Sequence, residues 1–178
     1  MQTLHLVLKR GLLTWDRVEL PESIFHDRLQ RVRTAIAAAG HDAWMVYGDA
    51  QRYGDVAYIT HFLPRTRGAL ALVPREGAPT LLASVGPRDI PAAKTLTWIK
   101  DLRPFSRLPV QLAQLVRERG LERGRIGRVG VDESLGIDDW EELRLLLPDV
   151  RWEETDGGLM RLRLLKAQPQ EFPRLNMP

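Results

Sequence analysis

The feature that most constrains the fold is an alternation of short apolar runs with stretches of about ten residues of helical pattern. Such alternation is typical of β-α-β crossovers, in which a helix returns the chain to the same end of a parallel sheet. The pattern predicts strands over 97–102, 125–132 and 150–154, and helices over 87–96, 109–119, 138–147 and from about 158 to before Pro169. The sequence therefore predicts an α/β fold with a largely parallel sheet.

The first half of the chain adds a long helix and an antiparallel hairpin. Apolar residues at helical spacing predict a helix over 22–39, which Gly40 ends, and a buried strand follows at 43–47. Two further apolar runs, 68–73 and 79–84, flank a turn that contains Pro and Gly, which indicates a hairpin. Because the hairpin makes the sheet mixed, we expect a mixed, largely parallel sheet of about six strands flanked by helices.

Length and composition narrow the classes of protein. A chain of 178 residues fits one domain, and we divide it into an arm over 1–21, a domain over 22–168 and a tail over 169–178. It has no cysteine, which excludes disulfides and thiolate metal sites. The net charge is +3 and acids are interleaved with the arginines, which favours solvated helix faces over a nucleic-acid surface. No apolar run approaches the roughly 20 residues that cross a bilayer, so we expect no membrane partner. From the charge pattern we expect no nucleic-acid partner, and from the lack of cysteine we expect a cytoplasmic protein.

No pattern of chemically active residues predicts a catalytic site. Metal sites usually show closely spaced ligands such as His-x-x-x-His, but the four histidines are far apart: His5, His26, His41 and His61. The acidic run 138–142 is interpreted as the first turn of a helix, where the helix dipole stabilises carboxylates. Phosphate-binding and nucleophile-elbow motifs are absent. We therefore predict no catalytic residue, no metal site and no cofactor.

One segment keeps functional interest. Residues 49–65 follow the first core strand at its carboxyl end, where open α/β sheets bind their ligands. The segment contains a set of side chains suited to a ligand or an interface: Asp49, Tyr53, Asp55, Tyr58, His61 and Arg65. The alternative is a polar loop that Tyr58, Ile59 and Phe62 anchor to the core, and the sequence leaves both interpretations open.

Three motifs follow one another in an order that one protein family shares. The first is a helix from Arg28-Leu29 to Gly40, followed by Asp42-Ala43-Trp44-Met45-Val46. The second is Asp55-Val56-Ala57-Tyr58-Ile59-Thr60-His61-Phe62, which is similar to the pattern N-I-x-Y-L-T-G-F. The third is Leu159-Met160-Arg161-Leu162-Arg163-Leu164-Leu165-Lys166-Ala167. Over roughly residues 22–168, the chain resembles the N-terminal domain of the creatinase–prolidase–aminopeptidase P family.

The resemblance implies a fold like that of ribonuclease H and a second, pita-bread domain. That second domain holds two metal ions on Asp, Asp, His, Glu and Glu and cleaves bonds next to proline or hydrolyses creatine, and we expect none of that machinery in this chain. Members use the N-terminal domain to form dimers and to shape the substrate pocket. We therefore predict a non-catalytic domain that acts in oligomerisation, by self-association, or in contact with a protein partner or a substrate pocket.

Two alternatives remain: a fragment of a dinuclear-metal Xaa-Pro dipeptidase or aminopeptidase whose catalytic domain is absent, and a small-molecule binding module that uses the 49–65 loop. For an interaction role, the candidate contact residues are four tryptophans, for which ordinary core packing is the alternative interpretation: Trp15, Trp98, Trp140 and Trp152.

The chain departs from the family pattern at two places. His61 stands where the family has glycine, so the sequence does not favour a tight turn there, because a left-handed conformation costs a non-glycine residue about 1–2 kcal/mol. Prolines in the tail, 168–178, stand where the family begins its next helix, and proline inside a helix costs about 3 kcal/mol. The tail therefore favours a chain that ends there.

Overall fold

The computed structural model describes residues 15–18, 20–65, 67–155 and 157–165. Its six strands are β1 (Ala43–Gly48), β2 (Ala69–Pro74), β3 (Thr80–Ala83), β4 (Asp101–Pro104), β5 (Arg125–Val129) and β6 (Arg151–Glu154). They form one sheet in the order β4-β3-β2-β1-β5-β6. β2 is antiparallel to β1 and β3, whereas β1 with β5, β5 with β6 and β3 with β4 are parallel. The predicted mixed, largely parallel sheet is confirmed.

Helices cover both faces of the sheet. They are α1 (Glu22–Ala38), α2 (Gly54–Thr60), α3 (Ile90–Thr95, entered through a 3-10 turn at Pro87–Asp89), α4 (Leu108–Glu118), α5 (Val131–Ser134), α6 (Ile137–Leu146) and α7 (Gly158–Leu164). α1, α2, α3 and α7 contribute buried residues to the core on one face, and α4, α5 and α6 to the core on the other. The helices predicted over 22–39, 109–119 and 138–147 lie within one residue of α1, α4 and α6. The helix predicted over 87–96 covers the 3-10 turn and α3, and α7 begins at the predicted Gly158 and ends at Leu164.

The two central strands are buried along their whole length. All six residues of β1 and all six of β2 are buried. Along β1 the side chains alternate between the two cores, with Trp44 and Val46 on the α1 side and Met45 and Tyr47 on the α4 side. A strand covered on both faces is apolar at every position, which explains why these segments appear as continuous hydrophobic runs in the sequence.

α1 ends as its sequence predicts. Gly40 adopts a left-handed conformation with φ of 68°. The N–H of His41 donates to the carbonyl of Ile36 at 3.0 Å, which closes the last turn of the helix. Glycine accepts positive φ without the steric cost that a side chain brings, so the stop signal at Gly40 has a direct physical cause.

Two predicted strands are wrong at their ends. The strand predicted over 97–102 begins only at Asp101, because Thr97 and Trp98 bind the α2 segment: the Thr97 hydroxyl donates to the Thr60 carbonyl at 2.6 Å, and the Trp98 indole N–H donates to the Ile59 carbonyl at 2.6 Å. The strand predicted over 125–132 ends at Val129. Gly130 turns the chain there with φ of 69°.

The remaining predictions about the termini lie mostly outside the described residues. This applies to His5 and most of the arm over 1–21, and to the tail over 169–178. Trp15, at the described end of the arm, is buried in the α1-side core and donates its indole N–H to the Leu20 carbonyl at 2.7 Å.

Candidate functional site

A cleft lies at the edge of the sheet where three parallel strands end. β1, β5 and β6 run in the same direction, so their carboxyl ends meet at this edge. The cleft has a volume of about 660 Å³. Its walls come from residues 51–55 after β1, from 128–130, 132 and 133 at the end of β5 and after it, and from 154, 155, 157, 159, 160 and 163 at the end of β6 and on α7. We call it the carboxyl-edge cleft.

An ion pair between two walls of the cleft joins α2 to α7. Arg163 Nη1 lies 2.8 Å from Asp55 Oδ1, and both side chains are about a third exposed or less. Gly54 makes this approach feasible, because a Cβ at that position would lie inside contact distance of the Arg163 guanidinium. The pair closes one side of the cleft with partners from distant parts of the chain.

The loop after β1 is held by its own side chains. Asp49 Oδ1 accepts hydrogen bonds from the backbone N–H groups of Gln51 and Arg52, each at 2.7 Å. Arg52 in turn donates to the carbonyl of Glu133 on α5. Asp49 therefore shapes the loop, and Arg52 connects two walls of the cleft.

The structure does not gather the six predicted site residues into one pocket. Tyr53 and Asp55 line the carboxyl-edge cleft. Tyr58 is buried, with its hydroxyl donating to the Leu162 carbonyl at 3.4 Å and the Arg28 guanidinium 4.5 Å from its ring centre. Arg65 is exposed and is not among the residues that line the cleft. Tyr58 thus follows the alternative interpretation, in which it anchors the loop to the core.

His61 keeps the turn that its sequence does not favour. It adopts a left-handed conformation with φ of 61°, and it is the one non-glycine residue with positive φ in the described part of the chain. Its ring Nδ1 lies 3.0 Å from the Leu96 carbonyl, which can only accept, so Nδ1 carries the proton. The ring centres of Trp15 and Phe25 lie 5.4 and 5.5 Å away. These contacts hold the strained residue in place.

A hydrogen-bonded chain at the opposite end of the sheet was not predicted. His41 is buried, with 3% of its surface exposed. The Trp44 indole N–H donates to its Nδ1 at 2.9 Å, so the proton lies on Nε2, which donates to Glu153 at 3.1 Å. Arg125 binds the same carboxylate at 2.8 and 2.9 Å, and these hydrogen bonds lower the pKa of Glu153 to about 2. These hydrogen bonds join β6 to β5 and to the segment that contains His41 and β1.

Two of the four candidate tryptophans are buried. Trp15 and Trp98 are buried in the α1-side core. Trp140 and Trp152 are half-buried and pack edge to face, with ring centres 5.3 Å apart. Only the second pair lies where a partner can contact it.

The described residues were also searched for metal-binding groups and for membrane-spanning helices. No group of three or more His, Asp or Glu side chains in that part of the chain is placed to hold a metal ion. None of the helices described is both long and apolar enough to cross a membrane.

Comparisons with a family model and with solved structures point to the same domain family. The family model of the creatinase/prolidase N-terminal domain matches residues 28–165. A search of curated proteins found no match. Among solved structures, the aminopeptidase P (Xaa-Pro aminopeptidase) of Streptococcus thermophilus has a TM-score of 0.62 and 18% identity, over 78% of this chain and 98% of that one.

Two further solved structures show the same fold. The N-terminal domain of the cytoplasmic peptidase PepQ from Mycobacterium tuberculosis has a TM-score of 0.61 and 19% identity, over 77% of this chain and 98% of that one. The prolidase of Pyrococcus horikoshii has a TM-score of 0.59 and 19% identity, and the match covers 80% of this chain but only 36% of the prolidase. The chain belongs to the creatinase/prolidase N-terminal domain family.

Proposed function

We propose that this domain is a non-catalytic interaction module that associates with itself or with another protein. The observation that carries the proposal is the distribution of exposed apolar side chains. Of the seven large hydrophobic residues exposed in the described chain, five lie on α6 and at α7: Ile137, Leu145, Met160, Leu164 and Leu165. α6 and α7 lie on opposite faces of the sheet, so these residues offer two separate surfaces for contact with a protein.

The proposal separates interaction from catalysis, so one experiment measures both in the same preparation. Sedimentation velocity of the purified chain from about 2 to about 200 µM should show reversible self-association or, with a partner present, a mixed complex. The same preparation should not hydrolyse a Xaa-Pro dipeptide when Mn²⁺ is added. Metal-dependent hydrolysis by the pure chain would contradict the non-catalytic role.

A second candidate function is that of companion to a Xaa-Pro peptidase catalytic unit. The observation that favours it is the exposure of Met160, Leu164 and Leu165 at the end of the region that the family model matches. The prolidase of Pyrococcus horikoshii is a longer protein, since the match covers only 36% of it. Reading the gene downstream of the Pro178 codon tests it. An open frame with two Asp, one His and two Glu in metal-ligand order would support the companion role, and an immediate stop codon would contradict a single-chain arrangement.

The carboxyl-edge cleft favours a third role, the binding of a small molecule. Its volume of about 660 Å³ lies within the range of ligand pockets, roughly 300–1,000 Å³, and Asp55 and Arg163 offer one charge of each sign. Proline dipeptides and guanidino compounds are suitable probes in a thermal-shift assay, because a ligand that binds only the folded state raises Tm. An unchanged Tm across the panel would count against this role.

We also propose a cytoplasmic location. The support is the structural likeness to the N-terminal domain of a cytoplasmic peptidase, PepQ of Mycobacterium tuberculosis. Fractionation of the source cells tests it, and recovery of the protein in the membrane or culture medium would contradict it.

A further inference from the structure

The outer edge of β6 carries backbone groups that no described strand pairs. β6 is the last strand of the sheet, with β5 as its one neighbour among the described strands. The N–H of Arg151 donates to the Gly124 carbonyl at 2.9 Å, so the backbone of Arg151 faces β5. Because successive residues of a strand point their N–H and C=O groups to opposite sides, those of Trp152 and Glu154 face away from β5. The edge therefore offers two donors and two acceptors to an added strand.

The other edge of the sheet is less open to pairing. Just after β4, the N–H of Phe105 donates to the Ala83 carbonyl at 3.1 Å, so by the same alternation the nitrogen of Pro104 faces outward. Proline has no N–H to donate, and it commonly protects an edge strand from pairing with other chains. β6 contains no proline. Strand addition is therefore favoured at the β6 edge.

A groove flanks β6 on each face of the sheet. On the α6 face, a groove of about 840 Å³ is lined by apolar and aromatic residues that include Leu145, Pro148 and Trp152. On the α1 face, a groove of about 370 Å³ is lined by residues of α1, β6 and α7, with Glu153 among them. The side chains of an added strand alternate between the two faces, so both grooves would receive them. Unpaired backbone groups beside side-chain grooves are the features of a strand-addition site.

The side chains of β6 set the chemistry that such a strand would meet. Trp152 and Glu154 lie on the α6 face, and Arg151 and Glu153 lie on the α1 face. Arg151 is exposed and forms no ion pair with a described residue. Glu154 is 80% exposed, and its contact with Arg128 at 3.5 Å leaves most of the carboxylate in water. An added strand would therefore meet a positive charge, a half-buried indole and a negative charge in turn.

We propose that β6 binds an antiparallel strand of another protein. The complementary strand has a basic residue opposite Glu154, a large apolar residue opposite Trp152 and an acidic residue opposite Arg151. Read along the partner's chain, this pattern is basic, any residue, apolar, acidic. Opposite charges and apolar contacts across a strand pair are stabilising, whereas like charges are destabilising. The inference rests on the proposed interaction function, and it names the surface and the class of partner.

The test is an NMR titration of the full 178-residue chain with the hexapeptide Thr-Lys-Val-Leu-Glu-Thr, acetylated and amidated at its ends. We call it the strand peptide. Bound in the proposed register, its lysine lies opposite Glu154 and its leucine opposite Trp152, and the N–H groups of these two peptide residues face β6. The amides of Trp152 and Glu154 should shift and exchange more slowly, with a Kd below about 1 mM.

Two N-methylated peptides separate backbone pairing from other contacts. Methyl groups on the lysine and leucine nitrogens remove both donors that face β6, so binding should be lost. Methyl groups on the valine and glutamate nitrogens face away from β6, so this matched peptide should keep its Kd within about threefold. Equal binding by the two methylated peptides would overturn the inference.

Arg151→Glu tests the charge pattern. It places like charge opposite the peptide glutamate and should weaken binding at least about threefold, and a peptide with lysine in place of that glutamate should recover it. Arg88→Glu is the matched control, because Arg88 is exposed on the turn into α3, between β3 and β4, and it should leave the Kd unchanged. An Arg151→Glu chain that binds the original peptide as well as the unaltered chain does would overturn the proposed register.

This titration and sedimentation velocity distinguish the two levels of the proposal. If the Trp152 and Glu154 amides do not respond at about 1 mM peptide while the chain still associates in sedimentation, the strand site alone is overturned. If neither experiment shows binding, the proposed interaction function is overturned as well.

Discussion

The two edges of the sheet differ in how many of their charged side chains are paired. At the β4 edge, Asp101 accepts hydrogen bonds from Arg103 at 2.9 and 3.0 Å and from Thr80 at 2.8 Å, and Arg119 reaches it at 3.4 Å. The hydrogen bonds from Arg103 are the main reason that the pKa of Asp101 lies below its ordinary value. At the β6 edge, Arg125 and His41 bind Glu153, whereas Glu154 is 80% exposed and contacts Arg128 at 3.5 Å.

The difference shows what each edge is suited to do. Edge strands expose unpaired backbone groups, and charged side chains commonly protect them from pairing with other chains. The β4 network uses its charges internally, so this edge is complete within one copy. Beside the β6 edge, Leu145 of α6 is 81% exposed and Glu154 is 80% exposed, so apolar and charged groups remain in contact with solvent there. The edges therefore differ in the side chains that they leave exposed to solvent.

The largest effect is expected from Gly127→Val, which disrupts the packing of β5 against Trp44, His41 and Thr155. A Cβ at Gly127 would lie 2.6 Å from Trp44, 2.7 Å from His41 and 2.8 Å from Thr155. Because Trp44 and His41 are buried, they cannot move aside at small cost. We expect a loss of about 3 kcal/mol or more in the free energy of unfolding, measured by urea denaturation.

Gly136→Ala is the control for that substitution. Gly136 precedes α6 with φ of −60°, and a Cβ there meets nothing within 4 Å. The free energy of unfolding should change by less than about 1 kcal/mol, the cost of a poorer helix cap. Equal losses for both variants would show that Gly127 has no special packing role.

A smaller effect is expected from Asp101→Asn, which breaks the β4 edge. The substitution leaves Arg103 and Arg119 without their shared carboxylate, and we expect urea denaturation to show a loss of about 1–3 kcal/mol. Asp149→Asn is the matched control, because Asp149 is exposed, and it should stay within about 0.5 kcal/mol. The Asp101→Asn variant should bind the strand peptide as the unaltered chain does, and weaker binding would remove the distinction between the edges.

The smallest effect concerns the pH dependence of stability that Glu153 of β6 contributes. The folded-state pKa of Glu153 is about 2, below its ordinary value of 4.5, so its ionised form stabilises the fold. This stabilisation is complete above about pH 4.5 and is lost as the pH falls toward 2. The Tm difference between the unaltered chain and Glu153→Gln should therefore be constant from about pH 7 to 5 and shrink below that. A difference that stays constant down to about pH 3 would contradict the role of the carboxylate.

Much of the fold could be predicted because its signals are local. α1, β1 and the β2–β3 hairpin follow from periodicity and from turn residues such as Gly40, and the structure confirms them. The strand predicted over 97–102 failed because Thr97 and Trp98 bind the carbonyls at the end of α2. Those contacts join residues nearly 40 positions apart, and no local sequence pattern predicts them.

The position of the 49–65 segment in the fold could be predicted, but the contacts of its side chains could not. Strand order put a cleft after β1, and Tyr53 and Asp55 do line it. The pairing of Asp55 with Arg163 and of His41 with Glu153 joins residues more than 100 positions apart, which only the folded chain brings together. His61 keeps its left-handed turn because the Leu96 carbonyl and two aromatic rings compensate for backbone strain, and these partners are equally invisible in its local sequence.

The mixed pairing of β1 has a consequence for how the domain assembles during folding. On one side β1 pairs Ala43 with Pro74, which closes a loop of about 30 residues, whereas on the other it pairs Ala43 with Ile126, which closes a loop of about 80. Since long-range contacts form more slowly, we expect amides of β1 and β2 to gain protection before those of β5 and β6 in pulsed hydrogen exchange. In a newly made chain, β1 and β2 would then be paired before β6, the strand that contains Trp152, joins the sheet.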